Sequence, residues 1–164
     1  MRDFTVPLRQ QLSSGPVLRV MGCCTPLGAR VAEQAGFEAV WFSGFELATA
    51  NCVPDASVLT MTDHLSALRA ITYSINVPVI ADSDSGFGGL NNVIHMVKEY
   101  ERFGVAAVCI EDKLFPKTNS LAGKEHPLIA KKEFAAKIRA AVHTRLSKNF
   151  LFIARRESFI AGMG

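Results

Sequence analysis

Val105-Ala106-Ala107-Val108-Cys109-Ile110-Glu111-Asp112-Lys113-Leu114-Phe115-Pro116-Lys117-Thr118-Asn119-Ser120 changes character after Ile110. Residues 105–110 form a continuous apolar run, the pattern of a short strand covered on both faces. Glu111 and Asp112 end that run, and the loop that follows carries Lys113, Lys117 and Asn119. Packing gives no reason for two carboxylates at the end of a buried strand. They could hold a hard cation, and the lysines and amide could meet an anionic small molecule. The layout points to a magnesium-dependent site for a substrate bearing phosphate or carboxylate.

Outward from this stretch the chain alternates. Apolar runs predict strands at 18–22, 39–43, 78–81, 105–110 and 150–154. Between them, helical periodicity predicts helices at 26–35, 60–74, 90–103 and 131–146, after a capping helix at 5–13. Leu27, Val31 and Ala35 share one face of the first of these. Leu65, Leu68 and Ile71, then Val93, Val97 and Tyr100, then Phe134, Ile138 and Val142 are the inward positions of the others. Repeated strand-then-helix units mean a parallel α/β fold. Polar residues gather after successive strands: Ser43-Gly44, Asp82-Ser83-Asp84, Glu111-Asp112 and Arg155-Arg156. Convergence from many strand ends suits the mouth of a (β/α)8 TIM-type barrel better than one switch-point crevice. Such a barrel takes ~250 residues, so residues 1–164 read as the N-terminal part of a single barrel domain, truncated after the fifth strand. Unpaired edges predict that such a fragment is inactive or poorly soluble alone.

Asp82 and Asp84 alternate onto one side of their strand, and two carboxylates facing one point call for a cation or proton between them. Glu111 from the next strand completes a set suited to Mg²⁺; capping of the following turn is the plainer alternative. Ser85-Gly86-Phe87-Gly88-Gly89 fits either anion binding at a helix start or a tight turn. Ser43 and Gly44 are candidates for a substrate carboxylate, or for a turn needing glycine. Asp55 lies in a long loop after Pro54, a common turn pattern. Lys117 and Asn119 belong to a loop long enough to be a lid. Arg155 and Arg156 are adjacent, so one of them faces the mouth, where arginine suits phosphoryl or carboxylate oxygens. His64, His95, His126 and His143 read as surface residues.

Composition sets the class. The chain has 164 residues, 49% apolar and 20% charged, with net charge +3, too small an excess to argue for nucleic acid. No apolar run is long enough to span a bilayer and the start carries no signal-peptide pattern, so the expected location is cytoplasmic. Cys23, Cys24, Cys52 and Cys109 form no CxxC pair; Cys109 reads as a small buried hydrophobe and Cys23-Cys24 as space-filling.

The chain resembles the isocitrate lyase/phosphoenolpyruvate mutase superfamily, and within it the phosphoenolpyruvate phosphonomutases. Glu111 to Ser120 matches every fixed position of the EDKxxxKxNS motif. Asp82-Ser83-Asp84-Ser85-Gly86-Phe87-Gly88 matches the strand-end metal motif, with Ser85 where the family has Thr. Trp41-Phe42-Ser43-Gly44 and Ala154-Arg155-Arg156-Glu157 match two further elements. The resemblance implies interconversion of phosphoenolpyruvate and phosphonopyruvate, the entry step to phosphonate biosynthesis. It implies Asp82 on Mg²⁺, with Asp84 and Glu111 holding its waters. Trp41 would belong to the substrate site, Ser43 and Gly44 would take the substrate's carboxylate end, and Asn119 and Arg155 its phosphoryl group. Lys117 would act from the lid, Asp55 beside the metal. Relatives are homotetramers. Met21-Gly22-Cys23-Cys24-Thr25 departs from the usual Ala-His-containing segment. Phosphonopyruvate hydrolase is the rival, since Phe45-Glu46-Leu47 and Val53-Pro54-Asp55-Ala56 look equally like that enzyme; Asn119 favours the mutase.

Overall fold

β1 (Val20–Cys23), β2 (Ala39–Phe42), β3 (Val79–Asp82), β4 (Ala107–Glu111) and β5 (Leu151–Arg155) form one parallel sheet in the order β1-β2-β3-β4-β5. The structure, a computed structural model, describes residues 4–15, 17–122 and 125–163; Gly164, the last residue of the expected barrel segment, and residues 123–124 of the long loop lie outside them. Each strand pairs with its neighbour in sequence. A doubly wound sheet reverses its strand order and a barrel does not, so the architecture is that of consecutive units of a TIM-type barrel.

The helices are α1 (Thr5–Ser14), α2 (Pro26–Gln34), α3 (Gly44–Ala50), α4 (Met61–Ser74), α5 (Leu90–Arg102) and α6 (Lys131–Thr144). Alternation along the strands divides the core in two. Val40, Phe42, Val79, Ala81, Val108 and Ile110 face the helices and pack on Leu68, Ile71, Val93, Val97, Tyr100 and Phe134. Ala39, Ile80 and Ala107 face the other way and pack on Leu8 of α1. α1 thereby covers the side of the sheet where the strands begin, and Arg9 donates to Lys148 O (3.0 Å) in the loop before β5.

Two expectations change. The face of α2 with Leu27 and Val31 points outward, Leu27 being 75% exposed; Ala29 and Ala32 are buried instead, because their small side chains let α2 sit close to the sheet. α3 stands where the periodicity predicts no helix. Its start is capped by Ser43, whose Oγ accepts from the Glu46 N–H (3.2 Å).

Candidate active site

The strands end where the carboxylates stand. Asp82, Glu111 and Arg155 close β3, β4 and β5 on the inner face, and Glu111 is in register with Arg155. They border a cavity of about 310 Å³ with Asp55, Lys117 and Asn119. Residues far apart in the chain meet because consecutive strands deliver their ends to one place.

Asp84 lies just past β3 in a left-handed conformation (φ 48°), yet its carboxylate still converges with that of Asp82. A Cβ added to Gly44 would sit 3.3 Å from Asp84 Oδ1 and 3.9 Å from Asp82 Oδ2. A side chain at Gly44 would therefore press on the Asp84 carboxylate and shift it by a few tenths of an ångström. The run from Ser85 to Gly89 forms a tight turn: Gly86 N–H donates to Ser83 O (2.8 Å), and a Cβ on Gly86 would come within 2.5 Å of Val93.

Burial pushes the Asp82 carboxyl up to about 6, with help from Asp84, and Lys117 opposes the rise. Burial likewise pushes Glu111 to about 7 against Lys117 and Lys113. Lys117, 6% exposed, bridges Asp84 (2.6 Å) and Asp55 (2.8 Å). Burial disfavours its ammonium, but Asp84 and Asp55 overrule that and hold its pKa above the usual lysine value. Glu111 Oε1 is buried with no hydrogen-bond partner among the described residues.

The long loop is folded down. Lys117 N–H donates to Ser57 Oγ (3.0 Å) and Asn119 Nδ2 to Asp55 Oδ2 (2.9 Å). At its base, Leu114 and Ile129 bond back to Pro127 and Asp112. Lys113 is no solvated lid charge: it is buried, donates to Thr118 O (2.9 Å) and Ser120 Oγ, and pins the loop's shape. Arg155 faces the cavity, with Nε on Glu157 and its guanidinium 3.8 Å from Glu111. Arg156 turns away to Asp112 (2.9 Å).

Four candidates stand apart from the cavity lining, Asp84 among them, its carboxylate held on Lys117. Trp41 packs in the inner-face cluster, Ser43 spends its hydroxyl on the α3 cap, and Gly44 lies behind Asp84. His64, read as a surface residue, is 2% exposed, edge-on to Phe42 and Phe87. Burial lowers its pKa, though Asp84 opposes this. Its helical spacing from Leu68 and Ile71 was the signal that placed it inward.

The family model for phosphoenolpyruvate phosphomutase matches residues 8–164. The chain belongs to this family. Among its relatives, the phosphonopyruvate hydrolase of Variovorax sp. (strain Pal2) is 46% identical over 159 residues, 96% of this chain and 54% of the relative. The solved phosphoenolpyruvate phosphomutase of Streptomyces platensis subsp. rosaceus superposes with a TM-score of 0.94 at 44% identity, covering 96% of this chain and 55% of that one. A phosphonopyruvate hydrolase solved with oxalate and Mg²⁺ gives 0.91 at 43%, covering 99% and 56%. The chain spans about half the length of these relatives.

Within the phosphoenolpyruvate phosphomutase family the cation question can be put to the residues themselves. Among the described residues no three His, Cys, Asp or Glu side chains form a ready metal cage. Mg²⁺ prefers one or two carboxylates and keeps several waters. Converging Asp82 and Asp84, the bare Cα of Gly44 beside them and the Glu111 oxygen that accepts no hydrogen bond, with only Lys113 at 4.0 Å, fit that preference. No helix among the described residues is long and apolar enough to cross a membrane.

Proposed function

We propose that the protein is a Mg²⁺-dependent phosphoenolpyruvate mutase acting on phosphoenolpyruvate and phosphonopyruvate in phosphonate biosynthesis. The observation that carries the reading is Asn119, the residue of the mutase motif, bordering the cavity beside Asp82, Glu111 and Arg155 while its amide holds Asp55. Mg²⁺, with Asp82 as ligand and Asp84 and Glu111 reaching it through water, would supply positive charge where the substrate's oxygens gather negative charge. Arg155 and Asn119 orient the phosphoryl group. Lys117 and Asn119, tied to Asp55, keep the loop closed so that a metaphosphate-like group meets carbon or oxygen of the substrate and not water.

Hydrolysis of phosphonopyruvate is the second reading. It is favoured by the 46% identical hydrolase. Phosphorus NMR of the protein with phosphonopyruvate and Mg²⁺ separates them. Phosphoenolpyruvate as product supports the mutase; inorganic phosphate with pyruvate overturns it in favour of the hydrolase.

A further inference from the structure

Lys137 on α6 is 4% exposed and lies outside the cavity lining. Burying an ammonium is costly unless its protons are satisfied. Burial lowers its pKa, and Glu133, one turn earlier, opposes this in part. Its Nζ donates to two backbone carbonyls, Ser85 O at 3.0 Å and Gly88 O at 2.7 Å. Both acceptors belong to the turn that leaves β3. That turn is unusual: Asp84, Gly86, Phe87 and Gly88 all have positive φ, at 48°, 88°, 58° and 136°. For Phe87, and less so for Asp84, the left-handed region is disfavoured, so the surroundings must hold the turn. A charged donor bridging two carbonyls of one turn ties it more strongly than neutral donors would. The turn is what aims Asp84 toward Asp82 at the end of β3, as Asp84 N–H bonds back to Asp82 Oδ1 (3.2 Å).

We propose that Lys137 is a positioning residue: from α6 it clamps the carbonyls of Ser85 and Gly88, and so fixes the left-handed turn that brings the Asp82 and Asp84 carboxylates together. The link to cation affinity rests on the reading of those carboxylates as the Mg²⁺ site; the clamp itself does not.

The test compares Lys137→Met, Lys137→Gln and, as control, Lys132→Met on the exposed side of α6. Amide hydrogen exchange is followed with Mg²⁺ titration by calorimetry, both on the intact protein. Lys137→Met is expected to speed exchange of the residue 83–89 amides at least 10-fold relative to β4, and to weaken Mg²⁺ binding about 10-fold or more, the usual effect of losing a residue that supports metal ligands. Lys137→Gln keeps N–H donors without the charge and recovers part of both losses; it also serves if the Met variant does not fold. Lys132→Met changes neither. Uniform loosening of the whole chain, or unchanged exchange at 83–89, overturns the clamp. Local loosening with unchanged Mg²⁺ affinity overturns its role in aiming the carboxylates. A wild-type protein that binds no Mg²⁺ sinks the metal reading, and the exchange pattern still decides the clamp.

Discussion

β3 and β4 are buried along their whole length, whereas β1 fully buries Cys23 and β5 fully buries none of its residues. The ends of these strands behave accordingly. Asp82 and Glu111, at the centre, are fixed by packing, and that burial is what raises their pKa values. Arg155, at the edge, is only half-buried and is held by ions: Glu157 grips it, while Arg156 and Asp112 tie the following turn. The centre therefore supplies rigid carboxylates, and the edge supplies an arginine whose position depends on electrostatics. At the other edge burial pushes the Cys23 thiol up to about 11, with Glu46 adding to it, and the neighbouring Cys24 is raised as well. Neither is a thiolate at neutral pH, which agrees with a space-filling role.

The largest test of this contrast is Asp82→Ala. Mg²⁺-dependent turnover is expected to vanish; turnover that still rises with Mg²⁺ would remove the centre from the cation site. Next comes Lys117→Met, which strands Asp84 and Asp55 without their shared cation. Breaking a buried pair costs about 3 kcal/mol, and if the Lys117 ammonium also stabilises charge in the reaction, kcat falls by about 10³-fold. Denaturant unfolding and steady-state kinetics measure the two separately. A loss of kcat below 10-fold would mean that Lys117 only seals the loop.

Two isoleucines one strand apart probe packing directly. Ile110 on β4 is fully buried, and Ile153 on β5 is 40% exposed. Ile110→Ala is expected to destabilise by about 3 kcal/mol, within the range of buried Ile truncations, and Ile153→Ala by about 1 kcal/mol or less, since little surface is taken from water. Equal losses in urea unfolding would show that β5 is packed as tightly as β4.

The centre is also the part that the sequence makes legible. Residues 105–110 are apolar at every position, so the strand and its burial follow from composition, and the carboxylates stand out against it. Val93, Val97 and Tyr100 at helical spacing give the inward face of α5 correctly. At the edge the same reasoning misleads. Leu27 and Val31 form an apolar stripe, but α2 turns its alanines to the sheet, and which face wins is decided by tertiary packing. α3 is hidden in the sequence although Ser43 and Glu46 stand in the spacing of a capping box, because the glycine between them reads as a turn. His64, a histidine among polar neighbours, reads as solvated, although its spacing from Leu68 matches the buried face. The ties of Lys113 to Thr118 and Ser120, and of Asn119 to Asp55, depend on how the long loop folds back, and no local pattern encodes that.

The smallest test compares two helix caps. Thr60 and Asp63 cap α4 reciprocally: Thr60 N–H and Oγ both reach Asp63 Oδ2 at 2.7 Å, and Asp63 N–H returns to Thr60 Oγ1. Thr25 caps α2 singly, accepting from Gly28 N–H (3.1 Å). Either Thr→Ala change removes about 1 kcal/mol locally. α4 packs on the central strands through Leu68 and Ile71, so the loss at Thr60 is expected in the global unfolding midpoint. α2 lies toward the β1 edge, so the loss at Thr25 is expected as faster local amide exchange with a smaller change in midpoint. The α4 cap has a pH signature too. The bonds from Thr60 lower the Asp63 pKa below 3.8, so its contribution is complete above that ordinary value and fades as pH falls through the depressed one. Asp63→Asn should flatten that part of the acid limb, and a limb identical to wild type would mean that the Asp63 charge adds nothing to the cap.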